Sequence, residues 1–242
     1  MFWSTHKNFK NTPATAPAAL AFARSNNAES AASLLNWLEG KLWHNERRAY
    51  IDGVKKNGED EVFEEGIYTY NQGPVLSALL EVTEAGGALA FDAIEKIEHI
   101  LDGIEQNFTA EFEVSHAEHV QILTTHGTGD AGLFTGILVR YLAQVALAET
   151  VPAPLRERAS NLVVQTAEIM WEGRREFDPD LKLNQAGVNV NEIRGEAVVL
   201  FSTDVQRHAS ETLGAGVPVD LSTQLQGWMM QEAAARVLAT TI

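Results

Sequence analysis

The chain contains no cysteine. That absence excludes a disulfide framework, a thiolate nucleophile and every zinc site built on sulfur, and it leaves the redox compartment open. Only histidine, aspartate and glutamate remain as candidate metal ligands. Basic residues are scarce, with 18 Lys and Arg against 33 Asp and Glu and a formal net charge of −15. Such an acidic balance repels a phosphate backbone and an anionic membrane surface, so neither nucleic acid nor a membrane is an expected partner. Long apolar runs are missing as well. The opening from Met1 to Leu20 has no signal-peptide core, and no stretch is expected to reach the length of a membrane span. The chain as it stands is therefore expected to be cytoplasmic, and secreted if its true start lies upstream of Met1. Glycine does not form a phosphate cradle, because Gly127-Thr128-Gly129 lacks both the spacing and the lysine.

What is present is enough apolar material for a sizeable core, 45% of 242 residues, which excludes a disordered or collagen-like chain. Apolar positions step by three and four in Ala28, Ala31, Leu35, Leu38 and Leu42, and again in Ile94, Ile97, Leu101 and Ile104. The same period holds for Phe134, Ile137, Tyr141 and Val145, and for Leu155, Ala159, Leu162, Thr166 and Met170. Each set lays one apolar stripe along a helix. With a helix after Pro17, one from Gly73 to Val82 and one from Asp220 to Leu238, the spacing predicts an all-α fold of about seven helices without a strand pair.

Breaks fall at Ser25-Asn26-Asn27, Lys56-Asn57-Gly58, Gly86-Gly87, Gly127 to Asp130 and Val151 to Pro154. Asp130 is placed to cap a helix, and Pro154 suits a helix start. Two longer connections, Tyr50 to Tyr70 and Phe177 to Pro218, are expected as loops, and long loops in helical proteins tend to hold function. Val198 to Phe201 fits either a short strand or a helical turn. No Pro, Gly or Ser linker divides the chain, so residues 1–242 are read as a single helical domain.

Two clusters could carry chemistry. Tyr68-Thr69-Tyr70-Asn71-Gln72-Gly73-Pro74 combines rings, which stack on the C–H faces of a sugar, with amides, which fork to hydroxyls; a helix start capped by Asn71 accounts for it equally. Asp130, Phe134, Thr135, Gly136, Arg140 and Tyr141 form the second, alternatively a cap, a core stripe and an exposed or ion-paired arginine. Glu64-Glu65 is a conceivable carboxylate pair or a solvated acidic surface. His116 and His119 would lie one turn apart on a helix but lack the zincin spacing, and no metal site is expected. No cofactor is expected either. Asn107-Phe108-Thr109 fits a glycosylation acceptor, relevant only to a secreted eukaryotic chain.

The order Trp3, Lys10-Asn11, Tyr50-Ile51-Asp52-Gly53-Val54, Tyr68 to Gly73, Asp130, Phe134, Gly136 and Arg140-Tyr141 resembles glycoside hydrolase family 76, the endo-α-1,6-mannanases. Leu221 to Gln224 with Gly227-Trp228 is similar to that family's closing segment. The resemblance implies an (α/α)6 toroid, here an incomplete one, and retaining cleavage of α-1,6-mannan. It implies mannan or a manno-oligosaccharide as partner, met by Trp3, Tyr70 and Phe134 as ring platforms and by Asn71, Gln72, Asp130 and Arg140 as polar contacts. The family's catalytic aspartates form an Asp-Asp pair upstream of the Trp and Lys-Asn segments, and no Asp-Asp dipeptide occurs in this sequence. No catalytic residue is therefore assigned, since retaining hydrolysis needs one carboxylate as nucleophile and one carboxylic acid as proton donor. Thr135 stands where the family usually has lysine. Alternatives are a non-catalytic carbohydrate-binding or scaffolding protein, and another (α/α)6 sugar enzyme such as an epimerase or unsaturated-glycoside hydrolase. Missing toroid helices would leave an apolar face, with self-association as the expected consequence.

Overall fold

The structure is a computed structural model, which describes residues 1–177, 198–214 and 217–240. These hold eight α-helices, the shortest of four residues, and nine strands, so the chain is mainly helical but not all-α. The described residues fall into two compact units, Met1–Phe108 with Arg140–Ser160, and Thr109–Val139 with Asn161–Ile242.

In the first unit, α1 (Thr12–Arg24), α2 (Ala28–Leu42), α3 (Thr69–Glu84) and α4 (Ala93–Phe108) pack in sequence, and α1 also packs on α3. Their buried stripes include Leu35, Leu38 and Leu42 on α2 and Ile97, Leu101 and Ile104 on α4, as the helical period predicts. Helix α1 begins before Pro17 rather than after it. Asn11 caps it by accepting a hydrogen bond from the Ala14 amide at 3.3 Å, and Pro13 occupies the first turn, where an amide hydrogen has no partner to lose.

The connection from Tyr50 to Tyr70 is not a loop. It forms most of a sheet of β1 (Phe2–Ser4), β2 (Lys7–Asn11), β3 (Trp43–His44), β4 (Ala49–Asn57) and β5 (Asp60–Ile67), all antiparallel. Strand β4 is central, with β5 along one edge and β3 and β2 sharing the other. Asn57 pairs with Asp60 across a two-residue turn in which Gly58 has φ +67°. Tight hairpin turns of this length need a positive φ at the first central residue, which glycine adopts without strain.

Helix α3 grips β4 through one side chain. Gln72 is 1% exposed; its Oε1 accepts from the Tyr50 amide at 2.9 Å, and its Nε2 donates to the carbonyls of Tyr50 at 3.0 Å and Tyr68 at 3.0 Å. The Tyr50 phenol, also buried, donates to Glu39 Oε2 at 2.9 Å. Glu39 in turn holds the ammonium of Lys96 at 2.7 Å, and that ammonium lies 3.7 Å over the Trp43 ring. Burial and the neighbouring Glu39 raise the Tyr50 pKa well above its ordinary value, so the phenol stays a donor. At the far end of α4, Asp102 and Glu105 take the guanidinium of Arg158 at 2.7 and 2.8 Å, and Asp102 also pairs with Arg48.

The second unit holds a hairpin of β6 (Thr109–Ser115) and β7 (Glu118–Leu123), the pair β8 (Arg175–Phe177) and β9 (Val198–Leu200), the 3₁₀ turn Gly129–Leu133, α7 (Ala209–Thr212) and α8 (Leu221–Thr240). Helices α5 (Phe134–Leu147) and α6 (Ala153–Glu172) belong partly to each unit. Val198 to Leu200 is thus a strand, while most of the expected Phe177–Pro218 connection lies outside the described residues. On α5 the buried hydrophobic positions are Leu138, Leu142 and Val145 with Val139 and Ala143. The stripe expected from Phe134, Ile137 and Tyr141 is only half-buried. Residues Gly129–Leu147 are, by length and composition, long and apolar enough to cross a membrane, contrary to expectation, and 44% of that window is buried within the protein.

Replacing Gln72 with alanine leaves the Tyr50 amide and carbonyl unpaired in the interior. The expected loss is about 1–3 kcal/mol of stability, read as a lower denaturant midpoint at unchanged slope.

Candidate functional site

The hairpin decides where the first cluster falls. Ile67 pairs with Ile51, so the chain leaving β5 enters α3 beside the middle of β4, and Tyr70 and Asn71 arrive next to Asp52. The Tyr70 hydroxyl donates to Asp52 Oδ1 at 3.2 Å, and Asn71 Nδ2 donates to the same oxygen at 3.4 Å. Tyr68 and Tyr70 stack with ring centroids 5.5 Å apart and 18° between planes. Burial, then the Asp52 charge, raise the Tyr70 pKa above its ordinary value, so its phenol is a proton donor throughout the physiological range.

Asn71 is fully buried, and its carbonyl oxygen Oδ1 has no hydrogen-bond partner. Leaving such an acceptor dry costs free energy comparable to a lost hydrogen bond. Capping does not explain the residue: the cap position of α3 is Tyr68, without a side-chain cap bond, and Asn71 lies inside the helix. Gln72, expected as a sugar contact, has its amide committed to the backbone of Tyr50 and Tyr68. Its place is behind the cluster. Asp52, which the sequence reading left without a role, is the acceptor that joins the other two. The available signal was Asn57-Gly58, a strong hairpin marker; a hairpin there returns β5 along β4 and brings Tyr70 back to Asp52.

The remaining first-unit candidates are exposed. Trp3 on β1 is 53% exposed, with the Lys7 ammonium 4.6 Å from its ring centroid. Arg140 on α5 is exposed and makes no ion pair among the described residues, which agrees with the exposed form of the alternative reading.

In the second unit Asp130 is exposed inside the 3₁₀ turn and caps nothing. The Gly129 amide is instead satisfied by Asp220 Oδ2 at 2.6 Å. Phe134 is half-buried with the His126 ring 5.6 Å away. Thr135 is buried and donates its hydroxyl to the Thr124 carbonyl at 2.7 Å. Gln226 Oε1 on α8 accepts from the Thr135 and Gly136 amides at 3.2 and 3.3 Å, satisfying the start of α5. A Cβ at Gly136 would sit 3.0 Å from the Gln226 Cα, so close approach of the α8 backbone explains the glycine.

Three other candidates resolve into structure. Glu64 and Glu65 are consecutive in β5, where the ladder to β4 shifts register, and Glu64 pairs with Lys55. Glu64 is thus engaged by an ammonium group, as on a charged surface. His116 and His119 belong to the β6–β7 hairpin, not a helix, and face Glu113 at 3.2 Å and Glu111 at 3.5 Å. No group of three metal-ligating side chains occurs among the described residues. Asn107 Nδ2 donates to the carbonyls of Arg47 at 2.7 Å and Gly103 at 2.6 Å, so in the folded chain it is not available as a glycosylation acceptor.

Helices that start beneath a short sheet and gather an acid, two phenols and a buried carboxamide suit the binding of a hydroxyl-rich ligand. The family model for glycosyl hydrolase family 76 matches residues 1–197, and the chain belongs to that family. No curated protein matches it. Among solved structures, the GH76A α-1,6-mannanase from Salegentibacter sp. HEL1_6 is similar over 98% of this chain, at 24% identity and a TM-score of 0.70. An inactive variant of that enzyme, with two consecutive aspartates replaced, in complex with α-1,6-mannotetrose aligns at 25% identity and a TM-score of 0.69. A family 76 glycoside hydrolase from a bovine Bacteroides thetaiotaomicron strain aligns at 15% identity over 98% of this chain and 45% of its own, with a TM-score of 0.67. The fold is thus that of the family, whose members form an (α/α)6 toroid, and the chain spans 62% of the length of the Salegentibacter enzyme.

Burial lowers the pKa of His126 from the ordinary value of 6.5. Below that value the unfolded chain takes up a proton that the folded chain refuses, so stability is full above about pH 6.5 and falls as the pH drops until the folded ring itself protonates. Urea midpoints measured from pH 7.5 to 5 are expected to fall less steeply for His126→Asn than for the unaltered chain.

Proposed function

We propose that the chain is a family 76 glycosidase scaffold directed at α-1,6-mannan, corresponding to the carboxyl-terminal part of the toroid, and that these 242 residues do not by themselves hydrolyse it. One observation carries the binding half of this reading. The buried Asn71 holds an unpartnered carbonyl oxygen beside the Asp52 carboxylate and the Tyr70 phenol. An acceptor, a carboxylate and a ring at one point are what a pyranose with vicinal hydroxyls requires, since two acceptors take adjacent O–H donors while a ring covers the C–H face. Trp3 and Arg140 are the further contacts assigned to the first unit, and Asp130 and Phe134 those assigned to the second. Gln72 contributes by holding β4 against α3 rather than by touching sugar.

The catalytic half rests on what the relative requires. Its variant lacking two consecutive aspartates is inactive, and no two consecutive aspartates occur in this sequence. Loss of nucleophile and acid together removes effects worth many orders of magnitude and leaves binding alone. The same observation supports the second reading, a non-catalytic carbohydrate-binding protein on the same scaffold.

Incubation of the chain with α-1,6-mannan is expected to release no reducing ends. Release that disappears in a Glu64→Gln, Glu65→Gln variant would overturn the proposal in favour of a substitute pair. Calorimetric titration with α-1,6-mannotriose is expected to show binding that Asp52→Ala weakens by roughly 1–3 kcal/mol, together with some loss of stability because the buried Asn71 Nδ2 loses its acceptor. Equal affinity in the two proteins would remove Asp52 from the site.

A further inference from the structure

We propose that the first unit carries a second saccharide site, built on the sheet face that bears Lys10, for a sugar carrying an oxyanion ester such as a phosphate or sulfate. That a sugar carries the oxyanion rests on the reading above; that an oxyanion binds there does not. The strand register builds the site. Phe2 pairs with Lys10, Lys10 with Val54 and Val54 with Phe63, so these side chains form one row across β1, β2, β4 and β5. The next row on the same face pairs Lys56 with Glu61. Trp3, consecutive with Phe2, points to the opposite face. Helix α2 completes the face with Trp37, and together Phe2, Asn8, Lys10, Trp37, Lys56 and Glu61, over the buried Val54, line a cavity of about 120 Å³.

Its charge is out of keeping with the rest of the chain. Lys10 is half-buried, with its ammonium 5.0 Å from the Phe2 ring centroid and 5.8 Å from that of Trp37. Among the described residues neither Lys10 nor the exposed Lys56 has a carboxylate within ion-pair distance. Glu61 already holds Lys41 at 2.9 Å. Its pKa is lowered first by the Lys41 hydrogen bond, and the charges of Lys41, Lys56 and Lys10 act in the same direction. Lys10 and Lys56 thus share one cavity lining with a single carboxylate that Lys41 already engages, in a chain whose formal net charge is −15. An entering oxyanion would meet Lys10 and Lys56 in charge-assisted hydrogen bonds, and the rings of Trp37 and Phe2 would offer apolar faces to the attached pyranose. A neutral sugar would leave the two cations unmatched.

The test titrates the chain calorimetrically at low ionic strength with mannose 6-phosphate, mannose and inorganic phosphate. Mannose 6-phosphate is expected to bind at least tenfold more tightly than either of the others, and less tightly as salt is raised. A Lys10→Gln, Lys56→Gln double variant should lose at least tenfold of that affinity. Glu61→Gln should gain several-fold, which a merely damaged fold would not do. Mannose 6-phosphate binding no better than mannose, or binding unchanged in the double variant, would overturn the proposal. Inorganic phosphate matching the ester would overturn its saccharide half. Binding of neutral α-1,6-mannotriose without any preference for the ester would sink this inference while leaving the proposed function intact; the reverse pattern would sink the latter alone.

Discussion

Much of the first unit depends on the hold of Gln72 on Tyr50. A strand and a helix have incompatible hydrogen-bonding periods, so a helix start set against a strand ordinarily leaves backbone groups on both sides without partners. One carboxamide resolves the mismatch, because its oxygen and nitrogen are spaced to meet the amide and carbonyl of a single extended residue. With Tyr50 held there, its phenol reaches Glu39 and, through it, Lys96 over Trp43. Three elements, α2, α4 and β4, are thereby referred to the start of α3. Asp52 lies two residues along β4 and Asn71 one residue before Gln72, so the register of the acid against the phenol and carboxamide follows from the same contact.

The second unit uses the same chemistry. Gln224 accepts from the Phe201 amide at 2.8 Å and donates to the Phe201 carbonyl at 3.0 Å, repeating the grip of Gln72 on Tyr50. Gln226 supplies acceptors to the first amides of α5. Such contacts need the backbones close. Glycines make the room at Gly136, beside the Gln226 backbone, and at Gly227, where the Phe201 ring occupies the space a side chain would need. The cost is borne at Gln226, whose Nε2 remains buried without a partner. Gly227, which the sequence offered only as part of a resemblance, has this packing role. Trp228 beside it is 66% exposed.

Polar groups in the first unit divide between those spent on the fold and those left available. Gln72, Asn107, Tyr50, Glu39 and Arg158 are all engaged by named partners, and their removal would be felt as stability. Asn71 Oδ1 is different in kind, a buried acceptor without a bond. Lys10 and Lys56 differ from the ion-paired Lys41, Lys55 and Lys96 in the same way. Unspent hydrogen-bonding capacity at these residues is what a ligand can use.

Helical periodicity by itself determined the cores of α2, α4 and α6, because an apolar stripe at three-four spacing has few alternatives once it exceeds two or three turns. The ordered set from Trp3 through the Tyr70 segment to Arg140 likewise sufficed for the family. The sheets were not legible in the same manner. Strand β5 reads Asp-Glu-Val-Phe-Glu-Glu-Gly-Ile and buries little, so its composition is that of a solvated loop, and its pairing comes from backbone bonds that composition does not encode. The stripe of Phe134, Ile137 and Tyr141 was legible as a face, but that it is only half-buried was not, because periodicity marks a face without saying what covers it. Asp52 escaped for a related reason: its meaning lies in Tyr70 and Asn71, 18 and 19 residues away. Only the return of β5 along β4 brings those groups within hydrogen-bonding distance, and that return is a property of the folded chain rather than of any local segment.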